Sequence, residues 1–260
     1  MYEITLGSAT HTGNKRKINQ DFFDCYIPRD PKEMKKGALL VLADGMGGYS
    51  GGEVASRMAV EKLMNNYYDD GNTKIFKSME KWFNTANLSI MEKASEDQEL
   101  RGMGTTLTAA VIKKNIIYGA HVGDSRAYLV SENEMIQLTQ DHSYVASLVR
   151  KGYITEEEAE THPDRNMITR AVGVQNELSI DFFKTKIHVK KTPYLLICCD
   201  GLYREVNHQT MIETIFTIKE PQNICDQLIQ MANDNGGADN ITVIVAHFNK
   251  KSLYNRFFTK

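Results

Sequence analysis

An α+β architecture, in which antiparallel sheets are covered by helices, is the fold class this sequence predicts. Three observations carry it. Short runs rich in Val, Ile, Tyr and Thr recur along the chain, each bounded by Gly, Asn, Asp or Lys-Asn turns. Two long helical patterns follow one another between an early set of strands and a later one, instead of alternating with strands as a parallel sheet requires. Adjacent runs meet at short hairpin-like turns around Lys113–Asn115 and Gly123–Arg126, which favours antiparallel pairing.

The elements follow in chain order. Ile4–Ala9 reads as the first strand, and Ala38–Ala43 as a continuous apolar one. Ser50-Gly-Gly-Glu53 reads as a capping box, opening a helix with Ala55, Met58, Ala59 and Leu63 on one face. A second helix runs from about Thr73 to Glu92, with Ile75, Phe76, Met79, Phe83, Ala86 and Ile90 at helical spacing. Strands are then expected at Thr106–Ile112, Ile116–Val122, Ala127–Val130, Leu178–Val189, Tyr194–Cys199 and Ile241–Phe248. Shorter helices are expected at Tyr144–Lys151, Thr155–Glu160, His208–Phe216 and Pro221–Asn233. No low-complexity linker, Pro-rich hinge or internal repeat divides the chain. One domain over 1–248 is therefore expected, with a tail at 249–260.

Bulk properties narrow the function. The 260 residues are 42% hydrophobic and 25% charged, ordinary values for a soluble globular protein. A formal net charge of −2 gives no reason to expect nucleic acid or an anionic membrane as partner. Cys25, Cys198, Cys199 and Cys225 are too irregularly spaced for a disulfide framework or a zinc site, and reduced thiols in a cytoplasmic protein are expected. The N-terminus lacks the basic start and apolar core of a signal peptide, and no apolar run has the ~20 residues a membrane span needs. The tail carries Lys250, Lys251, Arg256, Phe257 and Phe258. It reads either as a frayed or packed end or as a docking or membrane-surface segment.

The glycine-rich stretch Leu39–Met58 poses a choice between a phosphate cradle and a metal-binding turn. Its strand-to-helix context suits a nucleotide loop, but no Gly-Lys-Ser/Thr follows, and a second helix replaces the strand that would bring an acid to a ribose. Asp44 would moreover set a carboxylate beside phosphates with no cation to offset it. A strand-terminal aspartate followed by Gly45 suits a hard cation instead, because glycine lets a backbone carbonyl approach as a further oxygen ligand. Asp200-Gly201 repeats the pattern at another strand end, Asp239 directly precedes the last strand, Asp124 lies between two strands, and Asp21 follows the first. A solvated turn explains any one of these aspartates. Five in the same kind of setting suggest one shared rim.

In order, these stretches resemble the metal-dependent serine/threonine protein phosphatases of the PPM (type 2C) family in its compact bacterial form. The matching elements begin with Arg16-Lys-Ile-Asn-Gln-Asp21, Ala43-Asp-Gly-Met-Gly-Gly48, Gly52-Glu-Val-Ala-Ser56 and Gly102-Met-Gly-Thr-Thr106. They continue through Val122-Gly-Asp-Ser-Arg126, Leu138-Thr-Gln-Asp-His-Ser143, His162-Pro-Asp-Arg-Asn166, Cys199-Asp-Gly-Leu202 and Asp239-Asn-Ile-Thr242. The match spans about residues 5 to 248. It implies a four-layer αββα sandwich with a dinuclear Mn2+ or Mg2+ centre at one end. Asp44 would bridge two metals, Asp200 and Asp239 would hold the first, and the Gly45 carbonyl the second. Asp124, with Asp200, matches a third, weaker metal site. Arg16 matches the arginine that grips the substrate phosphate, while Gln20, Asp21 and Asn240 fall just behind the ligands.

The resemblance implies hydrolysis of phosphoserine and phosphothreonine by a hydroxide bridging ions about 4 Å apart, with no phosphoenzyme. Arg16 would offer a bidentate fork to the phosphoryl oxygens. Carboxylate, carbonyl and water ligands select Mn or Mg over zinc or copper. Cys198 and Cys199 are read as core residues. Met46 stands where some relatives have a proton-donating histidine, and Gln20 where many have glutamate. The leaving-group proton is then expected from water or a nearby histidine. His11, His121, His142 and His162 are read as turn or core residues.

Residues 141–173 match a mobile flap, read equally as a docking surface or a solvated helical hairpin. The implied partners are phosphoproteins, a Ser/Thr kinase and its substrates among them, and a monomer is expected. A small-molecule phosphoesterase and a catalytically silent phospho-binding module on the same fold are the alternatives. Intact Asp44, Asp200 and Asp239 argue against the silent one.

Overall fold

Alternation along one strand shows how the layers form. In the computed structural model, which describes residues 2–47, 51–72 and 74–250, β3 (Ala38–Met46) sends Leu39, Val41 and Ala43 to one face and Ala38, Leu40 and Leu42 to the other. Successive side chains of a strand point to opposite faces, and both faces are covered here. The strand therefore reads as one apolar run rather than as an alternation.

β3 lies in a sheet of order β2 (Asp21–Tyr26), β3, β5 (Leu107–Lys113), β6 (Ile116–Val122) and β9 (Asp181–Lys186), with β4 (Gly104–Thr105) paired to the end of β3. The second sheet has the order β1 (Tyr2–His11), β11 (Ile241–Lys250), β10 (Tyr194–Cys198), β7 (Arg126–Val130) and β8 (Met135–Gln137). Every pairing is antiparallel.

Between the sheets, Leu40, Leu42, Ala110 and Ile117 pack against Leu129, Leu195, Ile197 and Ile244. The outer face of the β3 sheet is covered by α1 (Gly51–Asn66) and α2 (Ile75–Glu96), which contribute Ala55, Ala59, Leu63, Met79, Phe83 and Ile90. The other outer face is covered by α6 (His208–Ile218) and α7 (Pro221–Asp234), through Met211, Ile215, Ile224 and Leu228. The result is the expected αββα sandwich. No described helix is long and apolar enough to cross a membrane.

The structure departs from the sequence reading in ways that bear on the site. β3 runs on through Asp44 to Met46, because Thr106 and β4 continue its pairing. Asp200 opens a short helix, α5 (Asp200–Tyr203), rather than closing a turn. β2, β4 and β8 had no sequence signal: β2 carries Asp24 within it, and the other two span only a few residues. Ser50 of the capping box, Thr73 and the tail from 251 lie outside the described residues.

Residues 141–173 form a protrusion with α3 (Tyr144–Arg150) and α4 (Glu156–Thr161). Its helices bury little beyond Val145. It is held by its base instead, through the bridges Ser143 to Ile168 and Thr105 to Val172.

Candidate metal centre

One end of the sandwich gathers the ends of strands from both sheets, and aspartates from different elements meet there. Register places Asp21 of β2 directly opposite Asp44 of β3. Like charges facing each other across strands are unfavourable, so the pairing asks for a cation or a proton. The Asp44 backbone is fixed from three directions. Its N–H donates to Thr106 Oγ1 at 2.8 Å, and its carbonyl accepts the Thr106 N–H at 2.8 Å and Thr105 Oγ1 at 2.9 Å.

Asp200 arrives as the first residue of α5, one turn before Arg204, whose Nη2 lies 3.0 Å from Asp200 Oδ2 and 3.8 Å from Asp124 Oδ2. Asp124 is buried in the β6–β7 turn, and Tyr203 Oη donates to its carbonyl at 3.2 Å. Asp239 precedes β11 and accepts its own neighbour's amide, from Asn240, at 2.8 Å. Asn240 ties the remaining loop to the site. Its Nδ2 donates to the carbonyls of Thr12 and Ile18, and its Oδ1 accepts the Gln20 N–H at 2.8 Å.

Glycine is required at two of these positions by close approach rather than by a positive φ. A Cβ on Gly45 would stand 2.0 Å from the Gly52 carbonyl oxygen and 2.5 Å from that of Gln20. The approach lets the Gly45 N–H donate to Gln20 O at 3.1 Å and seats the start of α1 against β3. A Cβ on Gly201 would stand 2.0 Å from the Asn240 carbonyl oxygen. The Asp-Gly pairs thus set packing distance as well as turn geometry.

The electrostatics report the convergence directly. Burial, then the charges of Asp21, Asp200, Asp124 and Asp239, hold the Asp44 carboxyl well above its ordinary range. Burial likewise pushes Asp21 up to about 7 and Asp124 up to about 8, and Asp200 too is raised. Asp21 Oδ2 accepts from Thr242 Oγ1 at 2.6 Å, yet Asp21 Oδ1 and Asp124 Oδ1 are buried with no hydrogen-bond partner. An oxygen-rich cluster with orphaned acceptors and disfavoured ionisation fits hard divalent cations such as Mn2+ and Mg2+. Ligand atoms of Asp21, Asp44 and Cys199 lie within 4.8 Å of one another. The thiol is otherwise engaged: Cys199 Sγ donates to Asn240 O at 3.3 Å and accepts the Thr242 N–H at 3.0 Å, and burial raises its pKa far above the range of a reactive thiolate.

All five aspartates singled out in the sequence lie at this rim, with Gly45, Gln20 and Asn240 against them. Arg16 stands at its half-exposed mouth, where its Nη2 donates to Asp239 Oδ2 at 2.7 Å. His121 and His142 are core residues. His121 bonds Thr108 and the Gly123 carbonyl, and His142 accepts the Gly123 N–H while bonding Asp181.

Sequence reasoning missed Arg204 and the pair Arg126–Asp141. Arg204 contacts Asn166 and the Arg165 carbonyl as well as Asp200, so it links the protrusion to the cluster. Its spacing from Asp200 becomes a signal only once Asp200 is seen to begin a helix. Arg126 grips Asp141 at 2.7–3.1 Å beneath the protrusion and stacks 3.7 Å over the Tyr203 ring.

A carboxylate cluster of this kind at one end of an αββα sandwich defines a class, the metal-dependent phosphatases, and comparison with known proteins agrees. The family model "Protein phosphatase 2C" matches residues 10–231. Serine/threonine phosphatase stp of Listeria welshimeri is 36% identical over 244 residues, covering 92% of this chain and 94% of that protein. Among solved structures, serine/threonine phosphatase Stp1 from Staphylococcus aureus superposes with a TM-score of 0.85 at 34% identity, covering 95% of each chain. The catalytic domain of serine/threonine protein phosphatase PstP, in complex with 2 manganese ions, gives a TM-score of 0.82 at 32% identity, covering 96% of this chain and 100% of that one. The chain belongs to the protein phosphatase 2C family, the metal-dependent serine/threonine protein phosphatases, and is an enzyme of that family.

Proposed function

We propose that this enzyme removes phosphate from phosphoserine and phosphothreonine of proteins at the aspartate rim. Its cofactors are two Mn2+ or Mg2+ ions, held by Asp44, Asp200, Asp239 and the Gly45 carbonyl. Asp124, with Asp200, is assigned to a third, weaker ion. The observation that carries this reading is the convergence of five carboxylates from separate elements, with ionisation disfavoured at Asp21, Asp44, Asp124 and Asp200 and two buried oxygens unpartnered. When bound, the cations supply a hydroxide nucleophile near neutral pH and offset the charge of the phosphoryl oxygens.

The chain's own residues do the rest. Asp44 is held still by Thr105 and Thr106, so its carboxylate needs little reorganisation. Arg16 sits at the mouth with a planar fork suited to two phosphoryl oxygens, and Asp239 holds it there until substrate arrives. Asn240 fixes both ends of the Arg16 loop. Cys198 and Cys199 are buried and the His121 and His142 rings are bonded in the core, so direct displacement by water without a phosphoenzyme is the reading. With Met46 unable to donate and the His121 and His142 rings bonded elsewhere, the leaving alkoxide takes its proton from water.

The phosphoprotein substrates are assigned to a Ser/Thr kinase in the same cell, with the kinase itself among them. The free thiols Cys25, Cys198, Cys199 and Cys225 suit a reducing cytoplasm. A single catalytic domain over 1–248, with 141–173 as a flap, and a monomer complete the proposal.

Turnover of p-nitrophenyl phosphate and a phosphothreonine peptide with added Mn2+ tests it. Asp44→Asn and Asp239→Asn are expected to lower kcat by about a thousandfold, the equivalent of several kcal/mol of lost charge stabilisation. No turnover by the wild type with metal, or full turnover by both variants, would overturn it.

A further inference from the structure

Opposite the aspartate rim, the same sheet ends in an excess of lysine. β3 begins there with Ala38, and the rim lies at its other end, about 20 Å away at ~3.3 Å per residue. The β5–β6 turn brings Lys113 and Lys114 to this far end, the first turn of α2 brings Lys74 and Lys77, and β9 adds Lys184. Together they ring a cavity of about 590 Å3 whose floor is Ile75, Phe76, Ile116 and Tyr118. A second recess of about 270 Å3 adjoins it through Ile75 and Lys113 and adds Lys32, Lys35 and Lys36, with Asp69 also on its wall.

Among the described residues, no carboxylate pairs with any of these lysines. The one nearby exception, Lys36, is paired with the buried Asp70. Lys184 Nζ lies instead 5.2 Å over the Tyr118 ring. In a chain with 33 acidic and 31 basic side chains, this is a local excess of lysine, and like charges gathered without ion pairs repel one another.

The floor has its own chemistry. The Phe76 ring meets Tyr118 edge-on at 5.6 Å and Phe182 at 5.2 Å, and Phe182 is 41% exposed. A half-open aromatic recess ringed by unpaired ammonium groups is complementary to a large apolar side chain flanked by carboxylates. It is concave, so it suits an inserted side chain better than the broad surface of a bilayer.

We infer that this far-end groove is a docking site for an acidic protein segment carrying an aromatic residue, borne by the phosphoproteins the enzyme dephosphorylates. Only the last clause rests on the phosphatase reading; binding of the segment does not. Tethering a substrate here would raise the effective concentration of its phosphorylated residue at the rim, according to the length of chain between the two.

Fluorescence anisotropy with a labelled peptide of Asp and Glu around a central Phe tests the site without hydrolysis. Wild-type protein is expected to bind it, more weakly as salt rises. Lys113→Glu with Lys114→Glu, and separately Lys74→Glu with Lys77→Glu, are expected to weaken binding at least about tenfold, as is exchanging the peptide's Phe for Ser. Turnover of p-nitrophenyl phosphate should stay at the wild-type level in both variants, which shows that they fold. A phosphothreonine peptide joined to the acidic segment should show a raised KM with those variants and an unchanged kcat.

Absence of binding, equal binding by wild type and variants, equal binding of the Ser peptide, or binding confined to phosphatidylserine vesicles would each overturn the docking site. An unchanged KM for the joined peptide would overturn the assignment to substrate. Wild-type protein that binds the acidic peptide but hydrolyses nothing would instead refute the phosphatase reading and leave the docking site standing.

Discussion

Asp21 and Asp124 show how much of the site's behaviour is set by single side chains. Each is buried with one oxygen unpartnered, and each is held above the ordinary carboxylate pKa of 3.8, at about 7 and about 8. A carboxyl whose pKa is higher folded than unfolded binds its proton more tightly in the fold. Its contribution to stability is complete below 3.8 and is lost as the pH rises through the folded value. Metal-free protein is therefore expected to melt at a lower temperature at about pH 8 than at about pH 5, with Mn2+ restoring the loss as it replaces the protons. Thermal melts in chelator and in Mn2+ at the two pH values check this, and a chelated melt unaffected by pH would contradict it. Gly45 makes a second residue-scale case. Its missing Cβ leaves room that Gly52 O fills, so Gly45→Ala is expected to cost about 1–3 kcal/mol of overpacking strain, and calorimetry should read the lowered Tm.

Among the elements, the protrusion at 141–173 depends on its attachments more than on a core of its own. Arg126 holds Asp141 bidentately in a largely buried pair, Gln137 adds a hydrogen bond at 2.7 Å, and Arg204 spans from Asp200 to the Arg165 carbonyl. Removing one partner of such a pair leaves the other charge buried. Asp141→Ala is thus expected to cost about 3 kcal/mol in urea denaturation. Arg204→Ala is expected to act differently, weakening metal binding and loosening the protrusion with a smaller loss of stability. Hydrogen exchange over 144–161 reads the second effect, and exchange there indistinguishable from wild type would refute the link.

Elements also differ in how far the sequence disclosed them. The candidate site was legible because aspartates at strand ends and turns, two of them in the pairs Asp44-Gly45 and Asp200-Gly201, are local signals. β3, β6 and β10 were legible because burial on both faces leaves continuous apolar runs. β2 was not, since Asp24 interrupts it at a sheet edge. α5 was not, since a four-residue helix has no period to read. Arg204 and Arg126 were missed with them, because their roles exist only after α5 and the base of the protrusion are placed.

Across the whole molecule, a net charge of −2 conceals two opposed ends, a rim of aspartates and a groove of lysines separated by the length of one sheet. Bulk charge gave no reason to expect nucleic acid or an anionic membrane and no hint of a basic groove, because a sum carries no position. The lysines come from segments between residues 32 and 184, so no window of sequence displays them together. Without cations the rim offers phosphate only carboxyls, charged or protonated, and no positive charge beyond its arginines, so turnover is expected to require metal.

Calorimetric titration of Mn2+ into metal-free protein tests that condition most directly. Wild type is expected to take up the two ions of the proposed centre, releasing protons as they bind. Asp44→Asn and Asp239→Asn should lose that uptake while keeping their fold by circular dichroism. Undiminished Mn2+ binding in both folded variants, or none in the wild type, would contradict a metal centre at the aspartate rim.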